Sequence, residues 1–152
     1  MKISTEKIKK LREKSGVGIM ECCKALAEAK GDEKKASQIV KERGLKVAAE
    51  KKERVTKQGV IECYTHAGGQ VVSVVELLCE TDFVARNEDF KKLAHELAMQ
   101  VAAMKPKDAS ELLKQEYIRD PQKKVADLLN ELIGRICENI KVGRMARFEL
   151  GE

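Results

Sequence analysis

The apolar residues of this chain repeat with two different periods, and the change between them limits the folds open to it. Up to residue 44 they recur every three or four positions, as on one face of an α-helix. From residue 59 to residue 79 they follow a strand-like pattern interrupted only by turn residues. Helical spacing then returns before a last strand. We therefore predict an α+β fold, in which a three-helix N-terminal module precedes a core of helices packed on a small antiparallel sheet.

Residues 4–44 are predicted to form the three helices of the module. The first has Ser4 as its cap and breaks at the S-G-V-G run of residues 15–18, and the second stops at Gly31. The third begins after Asp32 and stops at Gly44. A unit of roughly forty residues with so few large side chains has a thin core, so we expect it to lean on the rest of the chain or on a partner.

Segment 46–58 is predicted to be a basic, partly helical linker, because it carries five basic and two acidic residues and little apolar content. The charge also changes here: residues 1–58 hold 17 basic and 9 acidic side chains, whereas residues 59–152 hold 13 and 16. The predicted units are therefore the module 1–45, the linker 46–58 and the core domain 59–152.

The core domain is predicted to begin with a β-hairpin, whose arms 59–64 and 71–79 flank a turn with Gly68-Gly69. The nearly continuous apolar second arm indicates a strand covered on both faces. An amphipathic helix follows over 90–101, and Asp120-Pro121 is predicted to cap another. Alternating apolar residues from 140 to 150 predict a closing strand, with Arg144 breaking the series.

Membrane and secreted proteins do not fit this sequence. The longest apolar stretch, 71–78, is far shorter than the roughly 18 residues that a membrane-spanning helix requires. The first ten residues carry four Lys and no apolar segment, so we expect no secretory signal and a cytoplasmic protein. The odd number and irregular spacing of the cysteines predict reduced, mostly buried thiols; an adjacent redox pair at 22–23 is the alternative. The cysteines are Cys22, Cys23, Cys63, Cys79 and Cys137.

Catalytic motifs are incomplete in this chain. The H-E pair at 95–96 begins like a zinc-protease helix, but Met99 stands where the second His is required. Residues 16–18 (G-V-G) lack the third glycine of a dinucleotide loop and the Lys-Ser/Thr of a phosphate loop. We therefore expect no enzyme, no metal and no cofactor.

The basic N-terminal part is compatible with an RNA-associated ribosomal or regulatory protein, which is the alternative function. RNA readers usually stack bases on aromatic side chains, and residues 1–58 contain none. Solvated lysines on short helices explain the charge without a nucleic acid, so no direct nucleic-acid partner is expected.

The turn at residues 80–87 carries the most specific functional signal, because it places Phe83 next to Asp82 between a strand and a helix. In one interpretation Phe83 folds back to staple the following helix while Asp82 caps it. In the other, Phe83 is presented to a pocket of another protein, where burial of the ring contributes about 1.5 to 3 kcal/mol.

Three blocks of the sequence carry a family resemblance. They are L-R-E-K-S-G-V-G-I-M-E-C-C-K-A-L at 11–26, V-E-L-L-C-E-T-D-F-V-A-R-N at 75–87 and E-N-I-K-V-G-R-M-A-R-F-E-L-G at 138–151. In this order they resemble the bacterial elongation factor Ts family, the nucleotide exchange factors of elongation factor Tu, over nearly the whole chain. The resemblance implies a ubiquitin-associated-like module, an α+β core and a guanine nucleotide exchange factor of protein synthesis.

The resemblance also implies the site. In the family, the Asp-Phe pair is placed on the G domain of elongation factor Tu, and the ring inserts near the magnesium site; here the pair is Asp82 and Phe83. The neighbours that shape this turn are Thr81, Val84, Arg86 and Asn87. The apolar module residues that match the family's contact with the G domain are Leu11, Ile19 and Met20.

A second subunit is implied as well. His66 matches a contact in the family's core hairpin that, in short members, comes from the other subunit. Only residues 107–120 connect the two core helices here, whereas longer relatives have a second core repeat or extra helices. A single core repeat implies a homodimer formed by the core domain; Ala146 stands where some short relatives carry a cysteine on the last strand.

Overall fold

The computed structural model describes residues 3–152, so the first two residues of the predicted module lie outside the described residues. The fold is α+β, as predicted. In chain order the elements are α1 (Thr5–Ser15), α2 (Ile19–Glu28), α3 (Glu33–Lys51), β1 (Gln58–His66), β2 (Val71–Cys79), α4 (Asp82–Ala85), α5 (Glu88–Met104), α6 (Ala109–Lys114), β3 (Glu116–Tyr117), β4 (Asp120–Lys124), α7 (Val125–Ile136) and β5 (Ile140–Glu149).

The first three helices form around their own small core, and the first and third have the N-terminal caps expected from the sequence. The Ser4 hydroxyl accepts the Glu6 N–H at 3.2 Å, and the Asp32 carboxylate accepts the N–H groups of Lys34 and Lys35 at 2.9 and 3.0 Å. The buried residues of this cluster are Leu11, Cys22, Ala25, Leu26, Ala29 and Ala36. Most of them are small, which leaves the module with little apolar area of its own.

The predicted end of α3 at Gly44 is wrong, because the helix continues to Lys51 and takes in the first part of the predicted linker. Gly44 lies where α3 crosses α7: a Cβ built on Gly134 would meet the Gly44 Cα at 2.8 Å. Beyond the crossing, Val47 and Ala48 pack against the core cluster of the sheet and its helices. The glycine therefore serves close helix packing, and the local stop signal is overridden.

This crossing gives a prediction with opposite signs at its two glycines. Gly134→Ala is expected to lower the free energy of unfolding by about 1 to 3 kcal/mol, because the added methyl group overpacks a backbone contact. Gly44→Ala is the matched control: its Cβ would meet atoms only at 3.8 Å, so better helix propensity should raise stability by up to roughly 1 kcal/mol. Urea unfolding followed by circular dichroism measures both; equal effects would contradict the close contact.

The sheet has the order β1-β2-β5, and both pairs are antiparallel. The predicted hairpin is confirmed, with Gly68 and Gly69 at φ values of 67° and 97° in its connection. The inner face of β2 is buried, and there the Ser73 hydroxyl donates to the Ala98 carbonyl of α5. The outward residues Val72 and Val74 stay half-buried. Within one chain α5 packs on one face only, so the prediction that this strand is covered on both faces is wrong for the single chain.

A β-bulge in β5 reverses which residues face the core. Gly143 and Arg144 both lie opposite Glu76 of β2, so the register shifts there by one residue. Before the bulge Ile140 and Val142 face inward; after it, Phe148 faces outward and is 71% exposed. The pattern predicted that the alternating apolar residues lie on one face of the strand. The bulge instead divides them between the two faces.

The connection between the two core helices contains α6 and the β3-β4 hairpin, which the sequence did not predict. The buried Gln100 side chain on α5 organises it, donating to the Glu116 carbonyl at 3.0 Å and accepting the Ile118 N–H at 3.1 Å. Asp120-Pro121 begins β4 instead of capping a helix, and α7 starts only at Val125. Local sequence favoured a cap, but pairing with β3 decides the conformation.

Candidate functional site

The Asp82-Phe83 turn is a four-residue helix, α4, and both α4 and the helix that follows it begin with a side-chain cap. Thr81 is its N-cap, and its hydroxyl accepts the Val84 N–H at 3.4 Å. Asn87 caps the next helix, α5, by accepting the N–H groups of Asp89 and Phe90 at 2.9 and 3.2 Å. Two successive caps one short helix apart fix the path of the chain through the turn.

Phe83 points away from the protein. It is 79% exposed, more than any other aromatic residue of the core domain 59–152. Val84 and Ala85 lie on the opposite side of α4 and are buried in the core cluster. Because consecutive residues of a helix are about 100° apart, burial of these two residues turns Phe83 outward. The staple interpretation is therefore wrong: the ring does not fold back, and Thr81 rather than Asp82 is the cap.

The charges beside the ring lie at the surface. The Asp82 carboxylate accepts a hydrogen bond from the Arg86 guanidinium at 2.8 Å, and the two side chains are half or more exposed. An exposed i,i+4 pair of this kind stabilises a protein by less than about 1 kcal/mol. Both groups therefore remain able to exchange this contact for one with another molecule.

Thr81 is anchored by a residue that the sequence-based analysis missed. Glu138, at the end of the α7-β5 connection, accepts the Thr81 N–H at 3.1 Å and the Thr81 hydroxyl at 2.7 Å. The two residues are 57 positions apart, so neither periodicity nor local spacing gave a signal that would pair them. Glu138 does, however, begin one of the three blocks on which the family resemblance rests.

The module presents two of its three predicted contact residues. Ile19 is 50% exposed and Met20 is 69% exposed at the start of α2. Leu11 is only 3% exposed and packs in the module core, so it is not presented at the surface and its contact with the G domain stays a prediction. Its place in the sequence motif reflects packing against α2.

His66 lies exposed at the end of β1, beside the hairpin connection. Its ring stacks on Tyr64 with the centroids 6.0 Å apart, and its Nδ1 is 3.3 Å from the Tyr64 hydroxyl. Tyr64 also meets the ring of His95 edge-on at 5.7 Å. The hairpin therefore carries a small, ordered aromatic group next to the predicted contact residue.

The cysteines are more exposed than predicted. Cys22 and Cys79 are buried, but Cys63 and Cys137 are exposed, so the prediction of mostly buried thiols is wrong for these two. Burial raises the pKa of Cys79 to about 11, and the nearby charge of Glu138 adds to the effect. The Cys79 thiol accordingly stays protonated and donates to the Thr81 carbonyl at 3.1 Å. It supports the turn rather than acting as a nucleophile.

Metal-ligand clusters and membrane-spanning helices are two further features that bear on function. Over residues 3–152, no three side chains of the His, Cys, Asp and Glu types form a group that could hold a metal ion. Within the same range, no helix has the length and apolar character needed to cross a bilayer.

Comparison with known proteins gives a consistent set of relatives. The family model described as Elongation factor TS matches residues 80–152, which include the turn and the closing strand. Elongation factor Ts of Caldanaerobacter subterraneus subsp. tengcongensis is 40% identical over 195 aligned positions, covering 99% of this chain and 98% of the relative. Elongation factor Ts of Thermotoga maritima is 42% identical over 195 positions, covering 100% and 98%.

The alignments are longer than the chain, so these relatives carry residues that have no counterpart here. The similarity nevertheless extends over nearly the full length of both partners. With this identity and coverage, the chain belongs to the elongation factor Ts family of translation elongation factors.

Proposed function

We propose that this chain is a guanine nucleotide exchange factor for elongation factor Tu, and that it promotes GDP release by inserting Asp82 and Phe83 into the G domain near the magnesium site. The observation that carries the proposal is the outward ring of Phe83 on a short helix whose other side is anchored in the core. Membership of the elongation factor Ts family supports the identity of the partner, because in that family the Asp-Phe pair is placed on the G domain of elongation factor Tu.

The mechanism is thermodynamic linkage between two ligands of one protein. A factor that binds the empty G domain more tightly than the GDP-bound form weakens GDP binding by the same ratio. Each tenfold of that ratio requires about 1.4 kcal/mol of differential contact energy. Burial of an aromatic ring contributes about 1.5 to 3 kcal/mol, so Phe83 alone supplies at least one tenfold step if it is buried only in the distorted state.

This mechanism makes and breaks no covalent bond in the factor itself. The chain therefore acts as a binding protein rather than an enzyme, and it needs neither a cofactor nor a metal of its own. Its place of action is the cytoplasm, where its partner takes part in protein synthesis.

The direct test is the rate of labelled GDP release from elongation factor Tu, measured in excess unlabelled GDP with increasing amounts of the full chain. The expected result is an acceleration that saturates with factor concentration. A release rate independent of the factor would overturn the proposal. RNA binding that falls steeply with salt, found in place of the acceleration, would instead support the RNA-associated alternative.

The module is proposed to add affinity through its exposed apolar residues. The double variant Ile19→Ala, Met20→Ala is expected to weaken binding to elongation factor Tu about tenfold, because it removes two side chains whose burial together supplies roughly 1.4 kcal/mol or more. The maximal release rate should change less than twofold, since Phe83 is unchanged in this variant. Titration of the release rate gives both numbers.

Leu45→Ala is the matched control for this variant, because it removes a comparably exposed apolar side chain from another surface of the helical part. Equal loss of affinity in the control would show that the effect is not specific to the start of α2. Unchanged affinity in the double variant would remove the module residues from the proposed contact.

The core is proposed to form a homodimer through the outer face of its sheet. No helix of the described residues packs on this face, and its apolar residues include Ile61, 64% exposed, and Phe148. Two of its charges pair within the chain, since Arg144 donates to Glu76 at 2.9 Å, and Lys141 adds one further positive charge near its end. A mainly apolar face with so little net charge can meet a second copy of itself, and two such sheets pack as a sandwich.

The proposed dimer also involves His66. The hairpin end that carries His66 lies on the same sheet as the proposed interface. The His66 ring lies on the helix-covered face with Tyr64, and the family resemblance implies that in the dimer it contacts the elongation factor Tu molecule held by the other subunit. Each binding surface is thereby completed by both copies.

A further inference from the structure

We propose that Glu138 is a positioning residue for the Asp82-Phe83 turn, and that its neighbour Asn139 ties the same turn to the end of α3. The geometry that points to this role is a two-point contact: one carboxylate holds both the N–H and the hydroxyl of the residue that caps α4. The inference deepens the proposed function and rests on it, since it concerns how the same turn is held ready.

The contact with Glu138 sets the orientation of the Thr81 side chain. The Thr81 hydroxyl donates to Glu138 at 2.7 Å and accepts the Val84 N–H at 3.4 Å, so both of its hydrogen-bonding roles are used. The Thr81 carbonyl accepts from the Cys79 thiol. With all the polar groups of the cap engaged, the cap has one favourable rotamer.

The turn depends on such an anchor because α4 is too short to hold itself. A helix of four residues has too few hydrogen bonds to offset the free-energy cost of nucleation. Its conformation and direction are therefore set by its contacts with neighbouring segments. Val84 and Ala85 attach one side to the core, and Thr81 attaches the beginning. Without the carboxylate, rotation about the cap would change where the exposed ring of Phe83 points.

A further hydrogen bond joins the turn to the α7-β5 connection, and here the donor belongs to the connection and the acceptor to the turn. Glu80 accepts the Asn139 N–H at 2.7 Å, and Asn139 is almost fully buried. The Asn139 amide donates to the carbonyls of Lys52 and Arg54 at 3.2 and 2.7 Å, just beyond the end of α3. Two adjacent residues, 138 and 139, therefore connect the turn, the start of β5 and the helix that comes from the module.

This arrangement predicts an effect on the maximal rate rather than on affinity. When the Phe83 ring is already oriented, the free energy of its burial is available to distort the partner. When the ring is loosely held, part of that free energy is lost in ordering it. Glu138→Ala should therefore lower the GDP release rate at saturating factor three- to tenfold, while the affinity for elongation factor Tu changes less than twofold. Glu138→Gln keeps an acceptor and should restore the rate to within about twofold of the unchanged chain.

The controls separate positioning from general damage. Glu131→Ala removes a glutamate of α7 that pairs with Lys123 of β4 and makes no contact with the turn, so it should leave the rate unchanged. Thr81→Val removes the hydroxyl with little change of shape, and it keeps the test decisive if Glu138→Ala does not fold; the same rate loss is expected. Hydrogen exchange of the isolated protein should rise at the amides of residues 81–85 in Glu138→Ala and not in Glu131→Ala.

The outcomes distinguish this inference from the function on which it rests. If Phe83→Ala slows release but Glu138→Ala and Thr81→Val do not lower the maximal rate, the positioning role is overturned and the function stands. If no variant of the turn, Phe83→Ala included, affects release, the proposed function fails. Exchange at residues 81–85 that is unchanged in Glu138→Ala overturns the anchor irrespective of any partner.

Discussion

Phe83→Ala is expected to slow factor-stimulated GDP release from elongation factor Tu by at least tenfold. The ring is the largest apolar group presented by the turn, and its burial in the partner supplies about 1.5 to 3 kcal/mol, of which 1.4 kcal/mol corresponds to a factor of ten. Fluorescence of a labelled GDP analogue, followed in a stopped-flow instrument at saturating factor, measures this rate.

The same substitution should leave the free energy of unfolding within about 0.5 kcal/mol of the original value, because the ring makes little contact with its own protein. Urea unfolding provides this check. Met104→Ala, at an exposed position on another helix end, is the matched control and should not alter the rate. A Phe83→Ala variant that stimulates release as fast as the original chain would show that insertion of the Phe83 ring is not part of the mechanism.

Phe148→Asp is expected to convert the proposed dimer into a monomer. The substitution places a carboxylate in the proposed apolar interface, and by two-fold symmetry it does so once for each subunit. Burial of an unpaired charge costs several kcal/mol, so we expect dimer affinity to fall by more than a hundredfold. Light scattering coupled to gel filtration, over a series of micromolar loading concentrations, reports the mass.

Ile118→Asp is the matched control, because it introduces the same carboxylate at a partly exposed apolar residue of the β3-β4 hairpin. It should leave the dimer mass unchanged. An original chain that stays monomeric at the highest concentration, or a Phe148→Asp variant that retains the dimer mass, would overturn the proposed interface. Circular dichroism establishes that each variant is folded before its mass is interpreted.

The elements that the sequence predicted well are those whose signals are local. The hairpin is an example, since Gly68 and Gly69 supply the left-handed backbone that joins two apolar runs. The caps at Ser4 and Asp32 are another, because a side chain there satisfies N–H groups two or three residues away. In each case the interacting groups are close in the chain, so their spacing is visible without the fold.

The elements that the sequence predicted wrongly are those decided by distant contacts. Gly44 reads as a helix stop, yet it lies inside α3 because α7 crosses there. Asp120-Pro121 reads as a helix cap, yet β3 pairs with this segment and delays the helix.

The spacing of nearby residues is sufficient to predict the α+β class, the three-helix module, the hairpin and the position of the Asp82-Phe83 turn. The folded chain alone reveals that Phe83 points outward, that a bulge at Gly143 brings Phe148 to the open face of the sheet, and that Glu138 holds the cap of the turn. These features arise from contacts between segments far apart in the chain, and the pattern of one segment carries no information about the partner it will meet.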